Sequence, residues 1–266
     1  MMTTQSGPSV REGPLGIHLT ETGDGIPLFM LHGIGSSGDV FQDQLPLLSD
    51  EHRVVTWDAP GYGRSADPDK PMTMDDFADA AAECIRACFT AGAHVVGMSW
   101  GGVIATRLAL RHPDLVRGLI LGSSTVGSGT SAEQAESMRT RPDDIERTGV
   151  EAFARQRAVR LVSPEASEMI RSRAVSLMAN SIRLPGYRYA AESMATTDNS
   201  GDLDGITSPT LVLWGEKDIV TGRKAAVPLI AGIPGSRGGN PRRRTPRQPR
   251  SPGELHHLGL LIRSYR

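Results

Sequence analysis

The stretch Gly97-Met98-Ser99-Trp100-Gly101-Gly102 limits what this chain can fold into more than any other. It follows an apolar run, Ala93 to Val96, and precedes a helical pattern from Val103 to Leu110, so a serine stands on the turn from a strand into a helix. The glycines answer a steric need. Where strand and helix backbones close on each other no side chain fits, and the serine between them takes a tight, strained turn. Such a turn lifts the Ser99 hydroxyl above the carboxyl edge of a sheet. It also aims the first N–H of the helix, that of Trp100, at the same spot.

The rest of the chain reads as strands alternating with helices, the pattern of a mostly parallel sheet. Ile17 to Thr20, Ile26 to Leu31, Arg53 to Trp57, Val116 to Leu121 and Pro209 to Leu213 are expected strands. Asp39 to Leu48 reads as a short helix disturbed at Pro46, and Met72 to Phe89 as a long one with Met74, Phe77, Ala81, Cys84 and Cys88 on one face. The strand from Ile26 ends in His32-Gly33-Ile34-Gly35-Ser36-Ser37, whose glycines allow the Ile34 N–H to point where Trp100 points. His32 reads as a brace for this loop. Asp58, in the turn Asp58-Ala59-Pro60-Gly61-Tyr62-Gly63-Arg64-Ser65, reads as an acid that bonds its own turn.

From about Gly129 to Asp204 the texture becomes charged and methionine-containing, with helical patterns around Ser131 to Met138, Pro142 to Val162, Pro164 to Ala179 and Tyr187 to Met194. The expected architecture is therefore a core of residues 1–128 and 205–236, a helical cap of 129–204, and an Arg/Pro-rich segment of 237–266 ending in a short helix. Met169, Met178, Tyr187, Tyr189 and Met194 are candidates to line an apolar substrate pocket under the cap. Past the strand ending at Leu213, Glu216 and Asp218 lie in a loop that suits an acid supporting a histidine, and Asp218 is preferred.

With a formal net charge of −1, nothing global points to nucleic acid or an anionic membrane. Cys84 and Cys88 suit buried packing in the reduced state. The polar stretch from Met1 to Gly16 has no signal-like apolar core, and no run reaches membrane-spanning length, so a cytoplasmic location is expected. No metal cluster or dinucleotide fingerprint stands in the sequence, and no cofactor is called for. Oligomeric state is open, which leaves room for a homo-oligomer.

Taken together, the His32 to Gly35 loop, the Asp58 to Ser65 turn, the Ser99 elbow and the Leu213 to Asp218 loop resemble the α/β-hydrolase superfamily, in its chain order. The resemblance is greatest to the 3-oxoadipate enol-lactonase group and its esterase relatives, with Gly186-Tyr187 followed by Ala190-Ala191 in the cap. The carbon–carbon bond hydrolases of aromatic meta-cleavage pathways are also similar, but their usual Gly-Pro-Gly first loop is absent. Haloalkane dehalogenases carry aspartate in place of Ser99. The resemblance implies an α/β-hydrolase fold. It also implies a serine hydrolase of a small or medium ester, lactone or ring-fission product: Ser99 as nucleophile, Asp218 as acid, and the Ile34 and Trp100 N–H groups as oxyanion hole.

The resemblance also demands a histidine after Asp218, beyond a last strand, and there the chain departs from it. The segment from Gly238 to Arg250 is crowded with proline and arginine, which oppose a buried central strand. The later histidines, His256 and His257, fall inside a stretch that reads as the terminal helix, and His257 or His256 is the only candidate the chain offers. A shifted reading frame accounts for this. Asn240 to Pro246, back-translated as AAT CCC CGA CGC CGG ACA CCG and read one nucleotide later, spells Ile-Pro-Asp-Ala-Gly-His, which places the missing histidine near Thr245. The competing expectation is a hydrolase-like binding protein whose arginine-rich tail meets anionic partners.

Overall fold

The computed structural model describes residues 7–239, and the expected histidine positions near Thr245 and at His256 or His257 lie outside them. Among the described residues eight strands form one sheet in the order β1-β2-β4-β3-β5-β6-β7-β8. They are β1 (Ser9–Glu12), β2 (His18–Thr22), β3 (Ile26–Leu31), β4 (His52–Trp57), β5 (Ala93–Met98), β6 (Val116–Gly122), β7 (Thr210–Leu213) and β8 (Arg237–Gly239). β1 and β2 join antiparallel, and every pairing from β4 to β8 is parallel. The parallel strands therefore end along one edge, and the loops that leave it are the ones with chemical residues.

In β3 the side chains alternate between two covered faces, as expected for a parallel sheet wrapped by helices. Phe29 and Leu31 join a large core with Trp57, Phe77, Val103 and Leu108. Leu28 and Met30 join a smaller one with Phe41, Leu45 and Leu48. The large core is closed by α2 (Met74–Cys88) and α3 (Trp100–Arg111), the small one by α1 (Leu45–Leu48). Thr73 caps α2 reciprocally with Asp76, which sets its start two residues later than the apolar pattern suggests. Burial pushes the Cys84 thiol up to about 12, so it packs as a small apolar group.

Several elements differ from the sequence reading. The N-terminal stretch contributes an edge strand, β1, since its polar alternation suits an edge with solvent beside it. The helix expected from Asp39 splits into a single 3-10 turn, Gly38–Phe41, and the short α1; Pro46 lies in the first turn of α1, where its missing N–H costs nothing. Four helices, α4 (Ala132–Thr148), α5 (Val150–Ala158), α6 (Glu168–Ser181) and α7 (Leu184–Thr196), stand between β6 and β7. Pro142 lies buried inside α4 instead of opening a helix, and the break comes at Gly149, with φ 83°. α8 (Arg223–Gly232) returns the chain to β8, where Arg237 and Gly238 are exposed, as on an edge.

Candidate active site

Ser99 joins β5 to α3 with φ 52° and ψ −115°, a left-handed conformation that an L-residue keeps only when its surroundings over-determine it. They do. The Ser99 N–H donates to the Gly122 carbonyl at 2.9 Å, and its carbonyl accepts from the Gly102 N–H and the Ser124 hydroxyl, each at 2.9 Å. The flanking glycines are packed backbone to backbone. A Cβ on Gly97 would fall 2.6 Å from the Gly102 Cα, and one on Gly101 would fall 2.6 Å from the His32 carbonyl oxygen and closer still to that of Leu31. A Cβ on Gly102 would strike Ser124, which sequence reading passed over although it holds the elbow from the β6 side.

The loop after β3 lies against this turn. A Cβ placed on Gly33 would sit 3.4 Å from that of Ser99 and 3.9 Å from its hydroxyl oxygen. The Ser36 N–H donates to the Gly33 carbonyl at 3.2 Å, and Gly35 takes φ 77°. Among the described residues the N–H groups of Ile34 and Trp100 find no acceptor. His32 is fully buried beneath, its Nδ1 2.8 Å from the Gly33 carbonyl and its Nε2 accepting from the Ala59 N–H at 3.0 Å. That pair of bonds fits the neutral Nδ1–H tautomer. Burial pushes the ring's pKa down, against smaller opposing effects of the Gly33 carbonyl and Asp58.

Asp58 is likewise buried and turned inward. It accepts from the Gly38 N–H at 2.8 Å, the Arg64 N–H at 2.9 Å and the Arg64 Nε at 3.0 Å. Burial alone raises its pKa, but Arg64 and the Gly38 N–H outweigh it and hold the carboxyl below the usual range. Tyr62, from the same turn, packs between the rings of His32 and Trp100 at 5.5 Å from each. No motif singled it out.

Asp218 follows β7 at the same edge as Ser99, two strands along the sheet. The Val220 and Thr221 N–H groups donate to its Oδ1 at 2.8 and 2.9 Å, and the Thr221 hydroxyl approaches Oδ2 at 3.2 Å. Both carboxylate oxygens thus accept hydrogen bonds from their own loop. Glu216, the other acid considered, is exposed on that loop.

The cap residues separate. Tyr187 is buried, with its ring edge 3.5 Å from a Cβ placed on Gly35, beside Met178 and Ile182. Gly186 next to it packs directly on the Gly61 backbone, which seats α7 on the Asp58 to Ser65 turn. Met194 is buried in the main core. Met169 is corrected: in the first turn of α6 it is 77% exposed, so its side chain faces solvent and not a pocket.

The described histidines are five. His52 and His94 lie at the amino ends of their strands, His112 follows α3, and His18 is on β2, three strands from β5. His32 has both nitrogens engaged with backbone.

A nucleophile elbow on a mostly parallel sheet, faced by a glycine loop and roofed by helices between β6 and β7, defines the architecture of an α/β hydrolase. The chain belongs to the α/β hydrolase fold family, which it matches over residues 26–239. It is 29% identical over 212 residues, 76% of each chain, to (E)-2-((N-methylformamido)methylene)succinate hydrolase of Acinetobacter baylyi. It is 30% identical over 217 residues, 77% of this chain and 81% of the other, to pimeloyl-[acyl-carrier protein] methyl ester esterase of Vibrio cholerae. Among solved structures, the enol-lactonase of Burkholderia xenovorans superposes with a TM-score of 0.78 at 21% identity, over 87% of this chain and 90% of that one. Among the described residues no helix is long and apolar enough to cross a membrane.

Proposed function

We propose that the protein is a serine hydrolase of small or medium carboxylic esters or lactones. The observation that carries this is the left-handed backbone of Ser99, held by hydrogen bonds to the end of β6, to Ser124 just after it and to the first turn of α3, and by glycines with no room for a side chain. Ser99 attacks the acyl carbon, the Ile34 and Trp100 N–H groups stabilise the oxyanion, and water releases the acyl group. Asp218 stands two strand spacings from β5, roughly 10 Å, which is too far to meet Ser99 directly and leaves room for an imidazole between them. In this reading Asp218 orients that imidazole, and the segment after β8 supplies it, from the shifted frame near Thr245 or from His256 or His257. A relative named as a methyl ester esterase and another named as a succinate-derivative hydrolase agree with hydrolysis at a carbonyl carbon.

The second reading, a hydrolase-like binding protein with impaired catalysis, is favoured by one fact: no described histidine is placed to take a proton from Ser99. The test compares this chain with one whose tail is rebuilt in the shifted frame, on p-nitrophenyl acetate and butyrate. Turnover by the rebuilt chain alone, abolished by Ser99→Ala, is the expected result. Equal activity of both chains would assign the base to His256 or His257. Fluorophosphonate that fails to label Ser99 in either chain would refute the hydrolase reading.

A further inference from the structure

The cap is laced with ion pairs, and four of its arginines stand outside them: Arg160 is exposed, Arg171 donates to the Ala166 and Pro164 carbonyls, and the other two are Arg141 and Arg157. On α4, α5 and α7, Arg139 pairs with Glu192, Arg147 with Asp144, Arg155 with Glu151, and Arg188 with Asp143 and Glu146. Arg141 and Arg157 have no carboxylate partner among the described residues, although both are partly buried and their charges lie within reach of each other. The Arg141 Nε donates to the Ser137 carbonyl at 3.1 Å, which leaves its terminal nitrogens beside the Tyr187 hydroxyl. The Arg157 guanidinium lies 5.6 Å over the Phe153 ring, and that ring meets Tyr187 edge-on at 5.6 Å. The acid nearest in influence on Arg157, Asp144, is engaged by Arg147 at 2.8 Å. The fully buried Tyr62 hydroxyl, which faces the Gly35 backbone, also feels Tyr187 and Arg141.

Two like charges near each other in a partly buried place are unfavourable unless an anion joins them. Burial, and then Arg141, push the Arg157 pKa down, which is the same conflict seen from one residue. The Cε2 edge of the Tyr187 ring lies 3.5 Å from a Cβ placed on Gly35, next to the proposed oxyanion donor Ile34.

We propose that Arg141 and Arg157 form an anion subsite, one tyrosine ring away from the Ile34 to Gly35 loop, that receives a free carboxylate of the substrate. This deepens the hydrolase reading and rests on it for the role of Ser99: the ester or lactone cleaved carries a second, unesterified acid group. Guanidinium forks match the planar, two-oxygen carboxylate better than they match a neutral ester end.

The test reads binding without turnover. Succinate, glutarate and adipate are titrated calorimetrically into the chain, with dimethyl glutarate as the uncharged counterpart and inorganic phosphate as the rival anion. One or more of the dicarboxylates should bind saturably. Arg157→Gln and Arg141→Gln should each weaken it by about tenfold or more, the loss of a charge-assisted hydrogen bond. Arg155→Gln, on the exposed side of α5, should change nothing. Arg157→Lys, which keeps the charge but not the fork, should fall between and guards against a glutamine variant that folds poorly. Dicarboxylate binding no tighter than that of dimethyl glutarate, phosphate binding as tight, or a Gln variant that binds like the parent would overturn the proposal. Monomethyl and dimethyl glutarate then separate the two readings in the rebuilt chain. Arginine-dependent binding without hydrolysis of either ester leaves the subsite standing and removes the hydrolase. Equal kcat/KM for both esters, unmoved by Arg157→Gln, does the reverse.

Discussion

Replacing Ser99 with glycine should stabilise the protein while removing the proposed nucleophile. At φ 52° and ψ −115° the backbone sits near the mirror image of the second residue of a type II turn, a region natural to glycine. Strain of this kind costs about 1–3 kcal/mol. Glycine gives back roughly 0.5–1 kcal/mol through its freer unfolded chain. The net gain should be about 1 kcal/mol over Ser99→Ala, which also lacks the hydroxyl but keeps the Cβ and therefore the strain. For a chain of this size that is a rise in Tm of about 2–4 °C. Calorimetry or urea unfolding of the two variants side by side isolates the backbone, because neither retains the hydroxyl. A glycine variant no more stable than the alanine variant would show that the turn is unstrained, and the argument from Ser99's conformation to its function would lose its footing.

Gly101→Ala should destabilise by about 3 kcal/mol by forcing α3 off the β3 carbonyls, whereas Gly201→Ala, with open space around it, should be near neutral in the same urea titration. His32 takes up a proton more readily unfolded than folded, so its contribution is complete above pH 6.5 and erodes as pH falls below that. The urea midpoint of the parent should drop between pH 7.5 and 5.5 with a slope that His32→Gln flattens; an equal slope in both assigns it elsewhere. Asp58 behaves in the other range. Its depressed pKa gives stability that is complete above the ordinary carboxylate value and lost as pH falls through the folded one, and Asp58→Asn should cost about 2–3 kcal/mol at neutral pH, read from urea midpoints, by turning an amide N–H₂ toward Gly38 or Arg64.

What was legible in the sequence was local. The glycines at 97, 101 and 102 announce a close approach because nothing else satisfies it, and the structure finds a carbonyl, a Cα or the Ser124 side chain where each Cβ would go. The alternation of β3 and the apolar face of α2 are readable because one element's period suffices. Helix ends were less legible, since caps such as Thr73 and Gly149 depend on a few hydrogen bonds more than on the apolar pattern. Met169 misled because an apolar residue in a helical pattern says nothing of which side of a cap it faces.

The parts of the site that were not legible all need two distant segments at once. Ser124 braces Ser99 across β5 and β6, and Tyr62 joins His32, Trp100 and Tyr187 from three separate loops or helices. Arg141 and Arg157 look in the sequence like any other charge on a solvated helix, and only the pairing of their neighbours with acids leaves them without one. The same logic governs the base that the proposed mechanism needs. No motif fixes a histidine in this chain, but the sheet fixes where one is needed: β8 runs parallel beside β7 through Gly239, so the chain leaves the carboxyl edge next to the Asp218 loop. A base that joins Ser99 to Asp218 has to enter from there. The residues that follow Gly239 therefore decide whether the proposed nucleophile, oxyanion donors and acid can turn over.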